Sequence, residues 1–293
     1  MSALNRSLGV NPRVPNERLE VESLYFSKLG ELPRTPEPFN PGALNSARVW
    51  DYLLGGKDYR AVDQDMGNEM LARAPEIKSL AWFARKFTLK AVQLAADAGI
   101  QQFIDLGSGI PSSPNVHEAA REVEPTAQVV YVDYDPVVHA HCDALLAGPR
   151  GITALLGDIR RPHDILDQLK TLIDFNEPVA ITAIGVLHYV MDGEHPAEII
   201  AAFRERLAPG SLLVITHGSI DSGPEVLRVL AGADGTAAQV CFRSAAQTEA
   251  FFDGFELLEP GVVPVQQWLR PDLPETRMIM NGGIGRLPGM KRR

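Results

Sequence analysis

Between residues 102 and 216 the apolar positions fall into short unbroken runs separated by stretches with helical spacing. The runs lie at 102–106, 129–132, 152–156, 179–184 and 212–216, and the helical stretches near 115–122, 136–146, 162–173 and 196–207. Runs without polar alternation predict strands buried on both faces, as in a parallel sheet. Strand–helix alternation of this kind predicts a doubly wound α/β fold. Two more strands are expected at 255–259 and 277–280, too close together for a crossover helix, and therefore antiparallel. Upstream, Asn45 or Ser46 caps a helix that carries Val49, Trp50, Leu53 and Leu54 and stops at Gly55-Gly56. A long helix follows Pro75, with Ile77, Leu80, Ala81, Ala84, Phe87, Ala91, Leu94 and Ala95 on one face and Gly99 at its end. Residues 1–41 hold Pro12, Pro15, Pro33, Pro36, Pro38 and Pro41 and read as an extended arm with one short helix near 17–29. The expected organisation is an arm and helical segment, 1–98, packed on a core at 99–293.

Composition narrows the partners. The net charge of -9 repels phosphate backbones, so no nucleic acid is expected. The one basic cluster, Lys291-Arg292-Arg293, reads as a solvated tail. No run approaches the ~20 apolar residues that span a bilayer, so no membrane partner is expected. The first nineteen residues lack the apolar stretch of a signal peptide, which leaves the cytoplasm as the expected location. Cys142 and Cys241 read as buried thiols in a reduced compartment. His139, His141 and Cys142 lie too close along one helix to converge on an ion, so no metal is expected. A homo-oligomer is compatible with the sequence.

The first strand ends in Asp105-Leu-Gly107-Ser108-Gly109. Open α/β sheets bind ligands at the carboxyl ends of their strands, and glycines there let the backbone approach a ligand. The dinucleotide fingerprint needs a third glycine at 112, where Ser112 stands. Asp105 would repel a pyrophosphate but suits a cationic amino-acid ligand. Two later strands also end in acids. Asp133 is placed to accept ribose hydroxyls, and Asp158 to accept the amine of adenine. Each could instead cap the next helix.

These residues resemble the Rossmann-type S-adenosylmethionine-dependent methyltransferases over roughly 100–285. Asp105-Leu-Gly107-Ser108-Gly109 is similar to that family's cofactor loop, Asp133 with Tyr134 to its ribose-binding position, and Asp158-Ile159 to its adenine-contacting pair. Gly185-Val186-Leu-His188 resembles the loop that lines cofactor and acceptor. Over nearly the whole chain, Asn45-Ser-Ala-Arg48-Val-Trp-Asp51-Tyr52-Leu-Leu-Gly55-Gly56-Lys57-Asp58, Pro114-Asn115-Val-His117-Glu118 and Val130-Tyr-Val-Asp133-Tyr-Asp135-Pro136 resemble a bacterial family named S-adenosyl methyltransferase. Tyr59 and Tyr134 stand where that family would have Asn. Ser108 and Ile110 stand where Thr and Leu are usual. The resemblance implies a seven-stranded, mostly parallel sheet in the order 3-2-1-4-5-7-6, an N-terminal helical lid over the cofactor, and S-adenosylmethionine-dependent methyl transfer, with acceptors mostly unassigned across the family. The acidic surface and the extra covering segment favour a small-molecule acceptor over DNA or RNA.

Methyl transfer needs a base only where the acceptor must lose a proton. His188 after the fourth strand and, more weakly, His217 at the end of the fifth are the candidates, each otherwise a histidine bonded to loop backbone. Arg48 and Lys57 could hold a carboxylate of cofactor or acceptor. Asn115 and His117 could reach the cofactor's amino-acid end or simply cap a helix. The alternatives are a non-catalytic S-adenosylmethionine-binding regulator and a nicotinamide-dependent oxidoreductase, which Asp105 and Ser112 disfavour.

Overall fold

The computed structural model describes residues 43–146, 151–223, 240–273 and 276–289, all within the unit Thr35–Arg293. The proline-rich arm with its expected helix near 17–29, and the basic residues 291–293, lie outside the described residues.

The central sheet runs β3 (Ile152–Leu156), β2 (Gln128–Asp133), β1 (Gln102–Leu106), β4 (Val179–Ile184), β5 (Leu212–Gly218), β8 (Met280–Arg286), β6 (Glu256–Leu257), with β7 (Val263–Pro264) also paired to β8. β1 to β5 are parallel, and β8 is antiparallel to β5. The sheet therefore has eight strands rather than the expected seven. The extra one is a two-residue stub, too short to register as an apolar run.

Neighbouring positions on each strand feed opposite cores. Phe103, Val129, Ala180 and Val214 pack with α1 (Ser46–Leu54), α3 (Ile77–Asp97), α4 (Val116–Arg121) and α5 (Pro136–Leu146). Ile104, Val130, Ile181 and Leu213 pack with α6 (Pro162–Leu169) and α7 (Pro196–Arg204). Every residue of β1 is buried, which is why its sequence shows no polar alternation. A fully buried side chain such as Phe103 contributes about 1.5–3 kcal/mol. On the first face α3 is the main support. Its buried stripe includes Leu80, Ala84, Phe87 and Ala91, and Gly99 turns the chain off its end at φ +87°.

Four elements differ from expectation, each for a local reason. α2 (Ala61–Arg73) carries almost no apolar stripe; its buried residues are Asp63 and Gly67. Hydrogen bonds to Asp63 hold it, together with the partly buried Met66, Met70 and Leu71, which pack on the first core. α8 (Ala245–Glu249) and α9 (Val265–Leu269) span five residues each, too few for a helical period to show. β8 was expected at 277–280 but begins at Met280 and runs through Gly282, Gly283 and Gly285 to Arg286. Its neighbours require these glycines. A Cβ at Gly282 would come within 2.8 Å of Val265, and one at Gly285 within 2.7 Å of the Phe252 ring. Of the two cysteines, Cys142 is buried and Cys241 half-buried. No helix of the described residues is long and apolar enough to cross a membrane.

Candidate active site

At the carboxyl edge of β1 the chain turns through Gly107 and Gly109, at φ +67° and +64°. Side chains rarely adopt either angle. The amides of Gly107 and Ser108 donate to the Val132 carbonyl, which ties the turn to β2. A Cβ on Gly107 would lie 2.5 Å from Val186, whereas nothing stands within 4 Å of one on Gly109. The turn is thus packed on one side and open on the other.

Two buried carboxylates flank it. Asp133 accepts the Gly109 amide at 3.0 Å on one oxygen and the Asp135 amide at 3.0 Å on the other. Asp105 accepts the Thr182 hydroxyl and faces the Arg85 guanidinium. Burial pushes each up to about 6, against the hydrogen bonds that hold the charged form. Arg85 reaches in from α3 and donates to the carbonyls of Ser112 and Pro114. Its Nε is buried and has no partner among the described residues. Arg85, Asp105, Ser108, Gly109 and Asn115 share one small cleft with Tyr131.

The third acid is differently placed. Asp158 is half-buried, and Arg160 holds both its oxygens, Nε at 2.9 Å and Nη2 at 2.6 Å. The same guanidinium lies 5.9 Å over the Tyr134 ring, which is 42% exposed. Ile159 beside it is buried. Asn115 caps α4: it accepts the Ser112 amide at 3.0 Å and exchanges bonds with Glu118. The His117 ring and amide both meet the Tyr131 hydroxyl.

After β4, Gly185 takes φ +62° and its amide donates to Thr216 Oγ1 at 2.9 Å. His188 follows in a short 3-10 turn, packed on Tyr189 with centroids 4.4 Å apart. It is 9% exposed, and its Nδ1 is buried without a partner among the described residues. Burial, with His217 and Arg243 beside it, pushes it down to about 3, so the ring is neutral. His217 lies 5.9 Å from it, ring to ring, and both its nitrogens are occupied. Nδ1 meets the Gly218 carbonyl at 2.9 Å, and Nε2 meets Arg243 Nη1 at 2.9 Å. A carbonyl can only accept and a guanidinium can only donate, so His217 is the neutral tautomer protonated on Nδ1. That engagement leaves it no lone pair for a substrate proton.

Arg48 and Lys57 differ in their surroundings. Arg48, expected at a ligand carboxylate, is 2% exposed. Its guanidinium goes to Asp63 at 2.6 Å and to the Ala43 carbonyl at 2.6 Å. Asp63 also accepts the amides of Asn45 and Arg60, both at 2.9 Å. Lys57 is exposed. The start of α1 nevertheless reaches the site, because Asn45 donates to Asp135 and Ser46 bonds Tyr189. One helix end therefore touches the turns after both β2 and β4.

Sequence reasoning missed Arg85, Thr182 and Arg243. Arg85 falls four residues after Ala81 and four before Leu89, at the margin of an apolar stripe, which is the one signal that marks it. Arg243 carries no such signal. Its importance arises from contacts with Leu187, Val190 and Asp192, distant in sequence.

Comparison with known proteins bears on the family and the fold. A family model described as S-adenosyl methyltransferase matches residues 36–292. A candidate methyltransferase from Thermobifida fusca YX is 37% identical, with a TM-score of 0.78 over 84% of this chain and 96% of its own. A DUF574 family protein from Streptomyces avermitilis MA-4680 is 36% identical, with a TM-score of 0.79 over 84% and 98%. A search of curated proteins found no match. The chain belongs to the S-adenosyl methyltransferase family, enzymes that take their methyl group from S-adenosylmethionine.

Proposed function

We propose that the chain methylates a small molecule at the carboxyl edge of β1, β2 and β4, beneath the start of α1. The observation that carries this reading is the pair of buried carboxylates, Asp105 and Asp133, flanking a glycine turn whose far side is open at Gly109. When bound, S-adenosylmethionine supplies a sulfonium methyl that needs no further activation. Asp133 keeps lone pairs beyond its two amide bonds and would take the ribose hydroxyls. Asp105 and Arg85 carry opposite charges and suit the ammonium and carboxylate of an amino acid. Gly107, Ser108, Gly185 and Val186 would wall the middle of the cofactor, with Tyr134, Asp158 and Ile159 toward the adenine. Asp158 would share its oxygens between that ring and Arg160.

The protein's remaining tasks are positioning and exclusion of water. The start of α1, tied to Asp135 and Tyr189, serves as the cover. Arg48 acts on the ligand only through α1, which it fixes to α2. His188 offers an unpartnered Nδ1 but binds protons weakly, so it orients an acceptor hydrogen rather than storing a full proton. Net charge of -9 and a covered cleft favour a small acceptor over nucleic acid.

Calorimetric titration with S-adenosylhomocysteine tests the reading. The wild type should bind one equivalent, and Asp133→Asn should bind about 10–100-fold more weakly, the value of one or two bonds to a charged group. Absence of binding at millimolar ligand would refute it. Radiolabelled S-adenosylmethionine incubated with a cell extract should then label the low-molecular-weight fraction; label confined to RNA or DNA would remove the small-molecule assignment.

A further inference from the structure

A second cleft opens at the other end of α1, about 13 Å along the helix from the residues that touch Asp135 and Tyr189. It is an open cleft of about 190 Å³ between α1, α2 and the first turn of α3. Leu53 and Leu71 form its apolar base, and Gly55-Gly56 its rim. Its walls are two tyrosines. Tyr52 is fixed: its hydroxyl donates to Asn68 at 2.6 Å, and its ring packs where a Cβ on Gly67 would lie 2.4 Å away. Tyr59 meets it edge-on, centroids 4.8 Å apart and planes at 71°.

The polar groups of this cleft point to an anion. Lys78 lines it and makes no ion pair or hydrogen bond with any described residue. Glu76, two positions earlier, is held by Arg277 at 2.9 Å. The Tyr59 hydroxyl is also without a partner among the described residues. Among the described residues no carboxylate lines the cleft itself; Asp51, packed against Gly56, spends one oxygen on the Asp58 amide. On a chain of net charge -9, an unpaired ammonium at such a cleft favours an anion. Its volume exceeds the roughly 150 Å³ of an apolar cavity that takes up benzene, which leaves room for one ring and a small substituent.

We propose that this cleft binds a small aromatic carboxylate, its ring against Tyr52 and Tyr59 and its charge on Lys78 and the Tyr59 hydroxyl. The site is separate from the methyl-transfer cleft and does not depend on the roles assigned there.

The test is calorimetric titration of the full chain with benzoate and with neutral benzamide. Benzoate should bind saturably at one per chain, in the range of about 1–10 mM. Benzamide should bind about tenfold more weakly or not at all, as should benzoate to Lys78→Gln, because a charge-assisted bond is lost in each. Tyr59→Phe should cost less and Tyr59→Ala more. Lys78 is exposed, so its variant keeps the fold; unchanged far-ultraviolet circular dichroism and S-adenosylhomocysteine binding on the same preparation verify this. Equal affinity for benzamide, equal affinity in Lys78→Gln, or no saturable benzoate binding up to about 50 mM overturns the proposal. Benzoate binding by a protein that ignores S-adenosylhomocysteine would sink the methyl-transfer assignment and leave this one standing.

Discussion

Arg243 donates to Nε2 of His217 at 2.9 Å, on the far side of a ring whose Nδ1 already faces the Gly218 carbonyl. The same guanidinium reaches the carbonyls of Leu187 and Val190 and the carboxylate of Asp192. It thereby sutures the turn after β4 to the end of β5. Arg243→Met should cost about 3–5 kcal/mol in urea unfolding, because the carbonyls and Asp192 lose their donor. Nitrogen-15 spectra should show the His217 proton on Nδ1 in the wild type and a mixture of tautomers in the variant. A wild-type ring protonated on Nε2 would refute the assignment.

S-Adenosylhomocysteine affinity should fall as pH drops below about 6. Asp133 and Asp105 are both pushed up to about 6 by burial, and their ionised forms are the ones that accept hydroxyl and ammonium donors. Titration between pH 5 and pH 8 (about one unit below the midpoint to about two above) measures this. Affinity independent of pH would show that neither carboxylate meets the ligand.

The same two carboxyls and the two histidines oppose each other in stability. Between about pH 4 and pH 6 the unfolded chain has both carboxyls ionised and both imidazoles protonated, whereas the folded chain has the reverse. Each raised carboxyl lowers stability as pH rises through this window. Each depressed histidine contributes stability above pH 6.5 that is lost as pH falls, so the four groups nearly cancel. His188→Phe removes one of the two histidines from the balance. Relative to the wild type, that variant should lose about 1.4 kcal/mol per pH unit as pH rises from about 4.5 to 6, with no further change above 6.5. Parallel stability curves would refute this.

Arg48→Ala should destabilise the fold by about 3–5 kcal/mol, since it strands the fully buried Asp63. Replacing both partners with Met and Leu should cost much less. At temperatures where the single variant is folded, its S-adenosylhomocysteine affinity should stay near that of the wild type. A large loss of affinity without loss of stability would place Arg48 at the ligand after all.

Gly107→Ala should disrupt the turn, since the new methyl would sit 2.5 Å from Val186 at a φ of +67°. Val186→Ala should relieve the clash but not the backbone strain. The double variant should therefore recover only part of the lost melting temperature, and full recovery would mean that the positive φ carries no cost.

The parallel half of the sheet was legible in the sequence because every strand from β1 to β5 is buried on both faces and writes itself as an apolar run. β8 was not, because Gly282, Gly283 and Gly285 answer to Val265, Phe87 and Phe252, residues remote in sequence. Within the site, Asp105, Gly107, Gly109 and Asp133 could be read because strand ends and glycine turns are local features. The partners that set their chemistry could not. Arg48 looks the same in sequence whether it faces a ligand or Asp63, and His217 looks the same free or capped by Arg243. Only the three-dimensional arrangement of these side chains separates the two cases.

The outer margin of β8 is covered by two stubs of the same loop. Glu256 and Leu257 pair with Arg286 and Gly285, the Leu258 amide reaches the Ile284 carbonyl, and Val263 and Pro264 pair with Gly282 and Asn281. Each stub is two residues long, and Pro264 has no amide hydrogen to offer. An incoming strand on this side finds no continuous row of donors and acceptors to copy. The chain thus ends its sheet in a border that cannot be extended, and the glycine-rich strand behind it is kept from seeding fibrous assembly.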